Sequence, residues 1–217
     1  LPAILRGYAV CYPGWEVRIH HDESLYSSPY ADTLLRLAAM GAIKLVFMGR
    51  AHTLGMGSLW RFEPLADPNV ELFVTRDLDS MPTPRERRLV EEWIASGKTI
   101  GCIHDSTSHH GLMTGMMGAE AFVARTHWSA PGILHAMGVK AGLDMNVKEH
   151  DQTILNRYVA PKFENDSLFH QLDGCTKQPG HETSWVSKTF QGTIPEWEDE
   201  RRVSDDERVM LEGMNLL

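Results

Sequence analysis

Two aspartates spaced by one residue, Asp77 and Asp79, end the apolar, strand-like segment VELFVTRDLDS. Carboxylates at that spacing can project toward one face and hold a divalent cation, above all where a chain leaves a parallel sheet. Their hard oxygens suit Mg²⁺ or Mn²⁺, and the phosphates of a nucleotide would complete the shell. An ion held there stabilises charge on a diphosphate as the bond to it breaks. The same D-x-D-S run admits another chemistry, in which Asp77 attacks phosphate covalently and Asp79 handles a proton. It also admits none, as surface charge or a capped turn. Arg76 can pair with a neighbouring carboxylate or approach phosphate, and Ser80 is most economically a turn residue.

The pattern around these residues predicts how they are carried. Val70–Thr75 reads as a central strand with Arg76–Ser80 at its exit, and Pro82 and Pro84 enforce a turn. Arg85–Ser96 then reads as a helix burying Leu89, Val90, Trp93 and Ile94, closed by Gly97 before a strand within Lys98–His104. Upstream, a helix over Pro2–Tyr12, a Pro13–Gly14 turn, a strand Trp15–His20, a helix Pro29–Met40 ended by Gly41 and a strand Ile43–Phe47 give a βαβ-like rhythm. Gly49–Gly57 reads as a loop, followed by a short helix in SLWRFEPL with Ser58 as N-cap and Pro64 near its stop. Beyond Gly111, small elements are expected at Ala119–Ala124 and Ile133–Gly138, and a helix at Asp151–Tyr158.

The chain has 217 residues, enough for one substantial core and a single domain. Its 21 Lys and Arg against 29 Asp and Glu, a formal charge of -8, disfavour a broad nucleic-acid surface. A metal would let phosphate approach such an acidic protein. Cys11, Cys102 and Cys175 include no close pair and give no zinc or disulfide framework. No transmembrane segment or complete signal peptide is visible, which fits either the cytoplasm or a secretory-pathway lumen.

WRFEPLADPNVELFVTRDLDS, followed by RERRLVEEWIASGK and then HDSTSHHGLMTGMMGA, resembles the nucleotide-diphospho-sugar transferase superfamily with the GT-A glycosyltransferase fold. The likeness spans about Tyr8–Gly192, is strongest from Trp60 to Gly118, and is to capsular-polysaccharide-like or uncharacterised sugar transferases. It implies an α/β, GT-A-like, Rossmann-like mixed sheet flanked by helices. Residues 1–217 would form one such domain with a charged helical tail at about 196–217, and the first strand of the fold is expected to be cut short at the N-terminal end. It implies Mn²⁺ or Mg²⁺ as cofactor, a nucleotide sugar as donor, and a carbohydrate or other hydroxyl compound as acceptor.

The same resemblance implies the rest of the site. Asp77 and Asp79 would hold the metal, with His170 as third ligand and His181 as its nearest rival. Arg76, His109 and Lys177 would contact the donor, Lys177 stabilising the departing diphosphate. Asp105 would bind a donor-sugar hydroxyl; Asp151 would orient the acceptor and Gln152 supply a neutral hydrogen bond. Gly111, Gly115 and Gly118 would let their loop approach a sugar ring. His104 departs from the pattern, standing where arginine is often found, and carries fewer donors than a guanidinium. An aspartyl phosphatase and a catalytically inactive carbohydrate-binding domain are the competing readings, and retention or inversion at the sugar carbon stays open.

Overall fold

The computed structural model describes residues 2–104, 109–127, 131–172 and 182–186, and two sheets organise them. In the smaller, β1 (Arg18–His21) lies parallel to β2 (Lys44–Phe47), with Ile19 opposite Leu45. A parallel pair needs a crossover, and α2 (Ala31–Ala39) supplies it, ended by Gly41 at φ 71°, the left-handed position a glycine tolerates. Leu34 of α2 joins Ile19, Leu25, Ile43 and Leu5 of α1 (Pro2–Cys11) in a small apolar core.

The larger sheet has five strands in the order β3 (Leu72–Arg76), β5 (Met116–Glu120), β4 (Ile100–His104), β6 (Ser167–Leu172) and β7 (Glu182–Val186). β5 runs antiparallel to both its neighbours, whereas β4, β6 and β7 are mutually parallel. The architecture is therefore α/β with a mixed sheet flanked by helices. One face packs on α1 and on α4 (Pro84–Ser96), through Cys11, Tyr12, Val90, Trp93 and Leu168. The other buries Phe73, Ile100, Met117 and Phe169 against α3 (Leu54–Leu59), α5 (Ala121–His127), α6 (Pro131–Lys140) and α7 (His150–Ile154), which continues through a wide turn, Leu155–Val159.

Trp93 fixes how closely α4 sits on the sheet. It lies across Gly101 and Gly118, which are direct partners on β4 and β5. A Cβ at those glycines would come within 2.4 Å and 2.5 Å of the indole, so only glycine leaves room for the ring. Thr83 caps α4 by accepting from the Glu86 amide, and Pro84 starts its first turn, where its missing N–H costs nothing.

Several elements differ from the sequence expectations. Gly49–Gly57 is not all loop: Thr53 caps α3, and Ser58 lies inside that helix, its hydroxyl donating to Leu54 C=O rather than capping. Pro64 falls within a short 3₁₀ segment, Trp60–Ala66, not at its stop. Ile94 is 39% exposed and leaves the buried face of α4 to Leu89, Val90 and Trp93. The strand expected at Val70–Thr75 is found at Leu72–Arg76, and among the described residues it lies at an edge of its sheet rather than in the centre. The glycine- and methionine-rich run conceals β5, and the FHQL segment is the buried strand β6. No helix among the described residues is long and apolar enough to cross a membrane. The expected tail at 196–217 lies outside the described residues.

Candidate functional site

Strand alternation separates Arg76 from Asp77. Successive side chains of β3 point to opposite faces, so Arg76 turns toward α1 and α4 while Asp77 leaves the strand on the side of the Trp60–Ala66 segment. There Arg61 Nη1 donates to Asp77 Oδ1 at 2.7 Å. The Asp77 side chain remains half exposed. The chain then reverses, with the Ser80 amide donating to Asp77 C=O at 3.1 Å, which places Leu78 and Asp79 at the corners of a turn. Asp79 is exposed. A turn rather than continued strand thus relates the two carboxylates.

Arg76 is sealed beneath the sheet. Its guanidinium meets Glu86 at 3.0 Å and Gly115 C=O at 3.4 Å, and it bonds the Tyr8 hydroxyl. Tyr12 donates to the second Glu86 oxygen at 2.6 Å. Burial, the largest single influence, pushes the arginine toward neutrality, but Glu86 together with the Tyr8 and Tyr12 hydroxyls outweighs it and holds the charge more firmly than usual. Burial pushes the Tyr8 phenol up to about 12 and raises Tyr12 as well, with Glu86 adding to both. Of the two roles the sequence leaves open for Arg76, pairing with a carboxylate or contact with phosphate, the structure shows the ion pair, which joins β3 to α1 and α4.

Gly115 faces Asp77 from the loop leading into β5. A Cβ on Gly115 would fall 2.3 Å from Asp77 Oδ2, so the carboxylate rests against bare backbone. That loop is anchored at several points. Asn156 closes a two-way bridge to Leu112, accepting from its amide at 2.7 Å and donating to its carbonyl at 3.0 Å. His104, wholly buried, donates from Nε2 to Gly111 C=O at 2.6 Å and accepts at Nδ1 from the Gln171 amide at 3.0 Å. His104 thus pins this loop. His109 is half-buried at the start of the loop, its ring 6.4 Å from that of His104.

The glycines expected at a sugar ring part company. Gly115 lies at Asp77; Gly111, at φ 62°, packs against the Asn156 amide, and Gly118 lies under Trp93.

His170 does not join the aspartates. It sits on β6, with β5 and β4 between it and β3, roughly 14 Å away at the usual strand spacing. It is 1% exposed, and its Nε2 meets Glu92 of α4 at 3.1 Å. Burial lowers its pKa, with Glu92 opposing. Asp151 is buried in the first turn of α7, and Gln152 is half-buried beside it. Asp105, Lys177 and His181 lie outside the described residues. Among the described residues, no group of three or more His, Cys, Asp or Glu could hold a metal ion.

Beside Asp77 runs a groove of about 780 Å³ between β1 and β3. Its β1 wall carries charges that no sequence spacing signals, because their partners come from a distant turn. Arg18 bridges to Asp67 at 2.8 Å and Glu63 at 3.5 Å, and His20 meets Glu63 at 3.3 Å. Burial lowers the His20 pKa against the pull of Glu63. No family model, curated protein or solved structure matches the chain.

Proposed function

We propose that this chain is a metal-dependent glycosyltransferase domain that moves a sugar from a nucleotide-diphosphate donor to an acceptor hydroxyl. One observation carries this: Asp77 stands at the exit of a sheet strand, half exposed, already balanced by a cationic side chain and resting against a glycine that leaves room for its carboxylate. Strand exits of α/β sheets are recurrent ligand positions. The mixed sheet flanked by helices is the architecture that the resemblance to GT-A enzymes implies.

Asp77 and Asp79 offer the hard oxygens that Mg²⁺ or Mn²⁺ prefers, and two carboxylates suffice where a diphosphate and water supply the remaining positions. When bound, the ion neutralises the leaving diphosphate. The residues of the chain do the rest. Arg61 balances Asp77 in the free protein, and with a cation held by Asp77 its planar guanidinium would be a strong partner for phosphate. The loop held by His104 and Asn156 keeps Gly115 against Asp77, fixing the space in which the carboxylate can move. Arg76, one residue away, positions β3 and takes no part in binding donor.

The test is a panel of nucleotide sugars titrated with Mn²⁺ and Mg²⁺. Binding of one donor that needs the cation and disappears in Asp77→Ala supports the proposal. Tight, cation-independent binding, or phosphate released without any sugar acceptor, counts against it.

A further inference from the structure

The ladder between β3 and β5 ends at the Arg76–Met116 pair. One step further, the register sets Gly115 opposite Asp77, and the chain that precedes Gly115 turns away from β3. That turn spans Met113–Met116 and is closed by the Met116 amide, which donates to Met113 C=O at 3.1 Å. Beyond it lies Leu112, buried and outside any strand. A turn held only at its sheet end would swing about the last paired residue. Gly115, with no side chain to pack, would swing with it.

Asn156 supplies a second hold. Its side-chain amide accepts from the Leu112 N–H at 2.7 Å, donates to the Leu112 C=O at 3.0 Å and gives its other proton to the Gln152 C=O at 2.9 Å. The two-way bond to Leu112 is the pattern by which paired strand residues exchange donor and acceptor. Here a side chain makes it, to backbone 44 residues away. A primary amide carries donor and acceptor side by side in one plane, whereas a carboxylate has no donor and an aliphatic chain has neither. Gly111 permits the approach, since a Cβ there would stand 2.0 Å from Asn156 Oδ1. With the oxygen and both protons engaged, the amide cannot reorient without breaking a bond.

The base of this hold is firm as well. Asn156 lies in the wide turn that continues α7, where the Ala160 amide reaches back to Leu155 C=O. Such turns are rare and recur at functional sites. Leu155 and Val159, on either side of Asn156, are buried in the larger core and fix the turn there.

We infer that Asn156 is a positioning residue for Asp77, acting through the backbone of Leu112–Gly115 rather than by contact with the carboxylate. The β3–β5 ladder sets where the Met113–Met116 turn begins, and Asn156 sets how it tilts. Together they hold Gly115 as the seat against which Asp77 rests. The space that a cation would enter is therefore shaped from α7 as well as from β3. The fold should tolerate loss of this hold better than the seat does, because the sheet end of the turn stays paired. The bearing on donor binding rests on the function proposed above; the seat itself does not.

The test is Asn156→Asp, which keeps the shape and the acceptor for the Leu112 amide but sets an oxygen against the Leu112 and Gln152 carbonyls. The first readout is NMR on the 217-residue chain without nucleotide or metal. The Gly115 amide and Asp77 carboxyl-carbon resonances should move, while the amides of Ile19 and Leu45 in the smaller sheet stay in place. A purely structural Asn156 would lower the urea midpoint and leave both signals at Gly115 and Asp77 unmoved, and that result would overturn the inference. Asn156→Ser, too short to bridge both Leu112 groups, is read by the same criteria should the aspartate variant not fold. The second readout is titration of Mn²⁺ with a panel of nucleotide sugars. Binding seen in the wild type should weaken about tenfold in Asn156→Asp, and adding Gly115→Ala should weaken it little further, because both changes act on one seat. Fully additive losses would contradict a shared seat. A wild type that binds no nucleotide sugar would sink the donor reading alone, since the ligand-free resonances still decide whether Asn156 positions Asp77.

Discussion

Arg76 and Asp77 are neighbours in sequence and opposites in environment. The arginine is buried, ion-paired and surrounded by two tyrosines, whereas the aspartate is half exposed and held by one partly solvated arginine. Strand alternation makes this difference, since adjacent side chains leave β3 on opposite faces. The buried pair is structural because neither charge can be removed without stranding the other. The exposed pair can exchange partners, because water and solutes compete for both groups. A run of charge beside a strand end therefore divides into an anchor and a reactive part according to which face each residue takes.

The largest effect should come from breaking the anchor. Glu86→Ala leaves the Arg76 guanidinium buried and uncompensated, and should cost about 3–5 kcal/mol of stability in a urea titration. A loss below about 1 kcal/mol would mean that solvent reaches Arg76 and that the contrast with Asp77 is false. Trp93→Ala should cost a similar amount, about 3–5 kcal/mol, by emptying the space across Gly101 and Gly118.

A smaller effect should sharpen the reactive side. In Gly115→Ala the new methyl displaces an exposed carboxylate rather than backbone, so the unfolding midpoint should hold within about 1 kcal/mol while cation-dependent donor binding weakens about tenfold. Unaltered binding would separate Gly115 from the site.

Acidity should act on the buried histidines. His20 and His170 both have pKa values below their ordinary 6.5, chiefly through burial. The unfolded chain then takes up protons first, so their stabilising contribution is complete above pH 6.5 and is lost as pH falls through the folded values. The urea midpoint should decline between pH 7 and pH 5, and less steeply in His170→Gln; a flat profile would contradict neutral burial. The smallest effect belongs to Arg61→Ala. Its ion pair is partly screened by water, and stability should change by no more than about 0.5 kcal/mol.

Much of this fold was legible in the chain. Pro84, the apolar spacing of Leu89, Val90 and Trp93, and Gly97 specify α4, and Gly41 marks the end of α2, because local chemistry dictates caps and faces. β5 was hidden because Met116–Glu120 has no β-branched residue, and its strand character comes from pairing on both sides. Asp77 was legible as a carboxylate at a strand exit, because the apolar run before it ends there. His170 was not legible as a core residue, since nothing local shows that β6 lies three places from β3 or that Glu92 waits above it. Gln171 and Asn156 hold the loop through residues far away in sequence, a relation that only the folded chain displays.

The central claim is that Asp77 and Asp79 bind a cation that carries a nucleotide sugar, and isothermal titration of Mn²⁺ with a donor panel tests it most directly. The wild-type chain should bind one donor only when the cation is present, and Asp77→Ala and Asp79→Ala should each weaken that binding at least about tenfold, about 1.4 kcal/mol, with folding intact. Equal affinity in the wild type and both variants would contradict it.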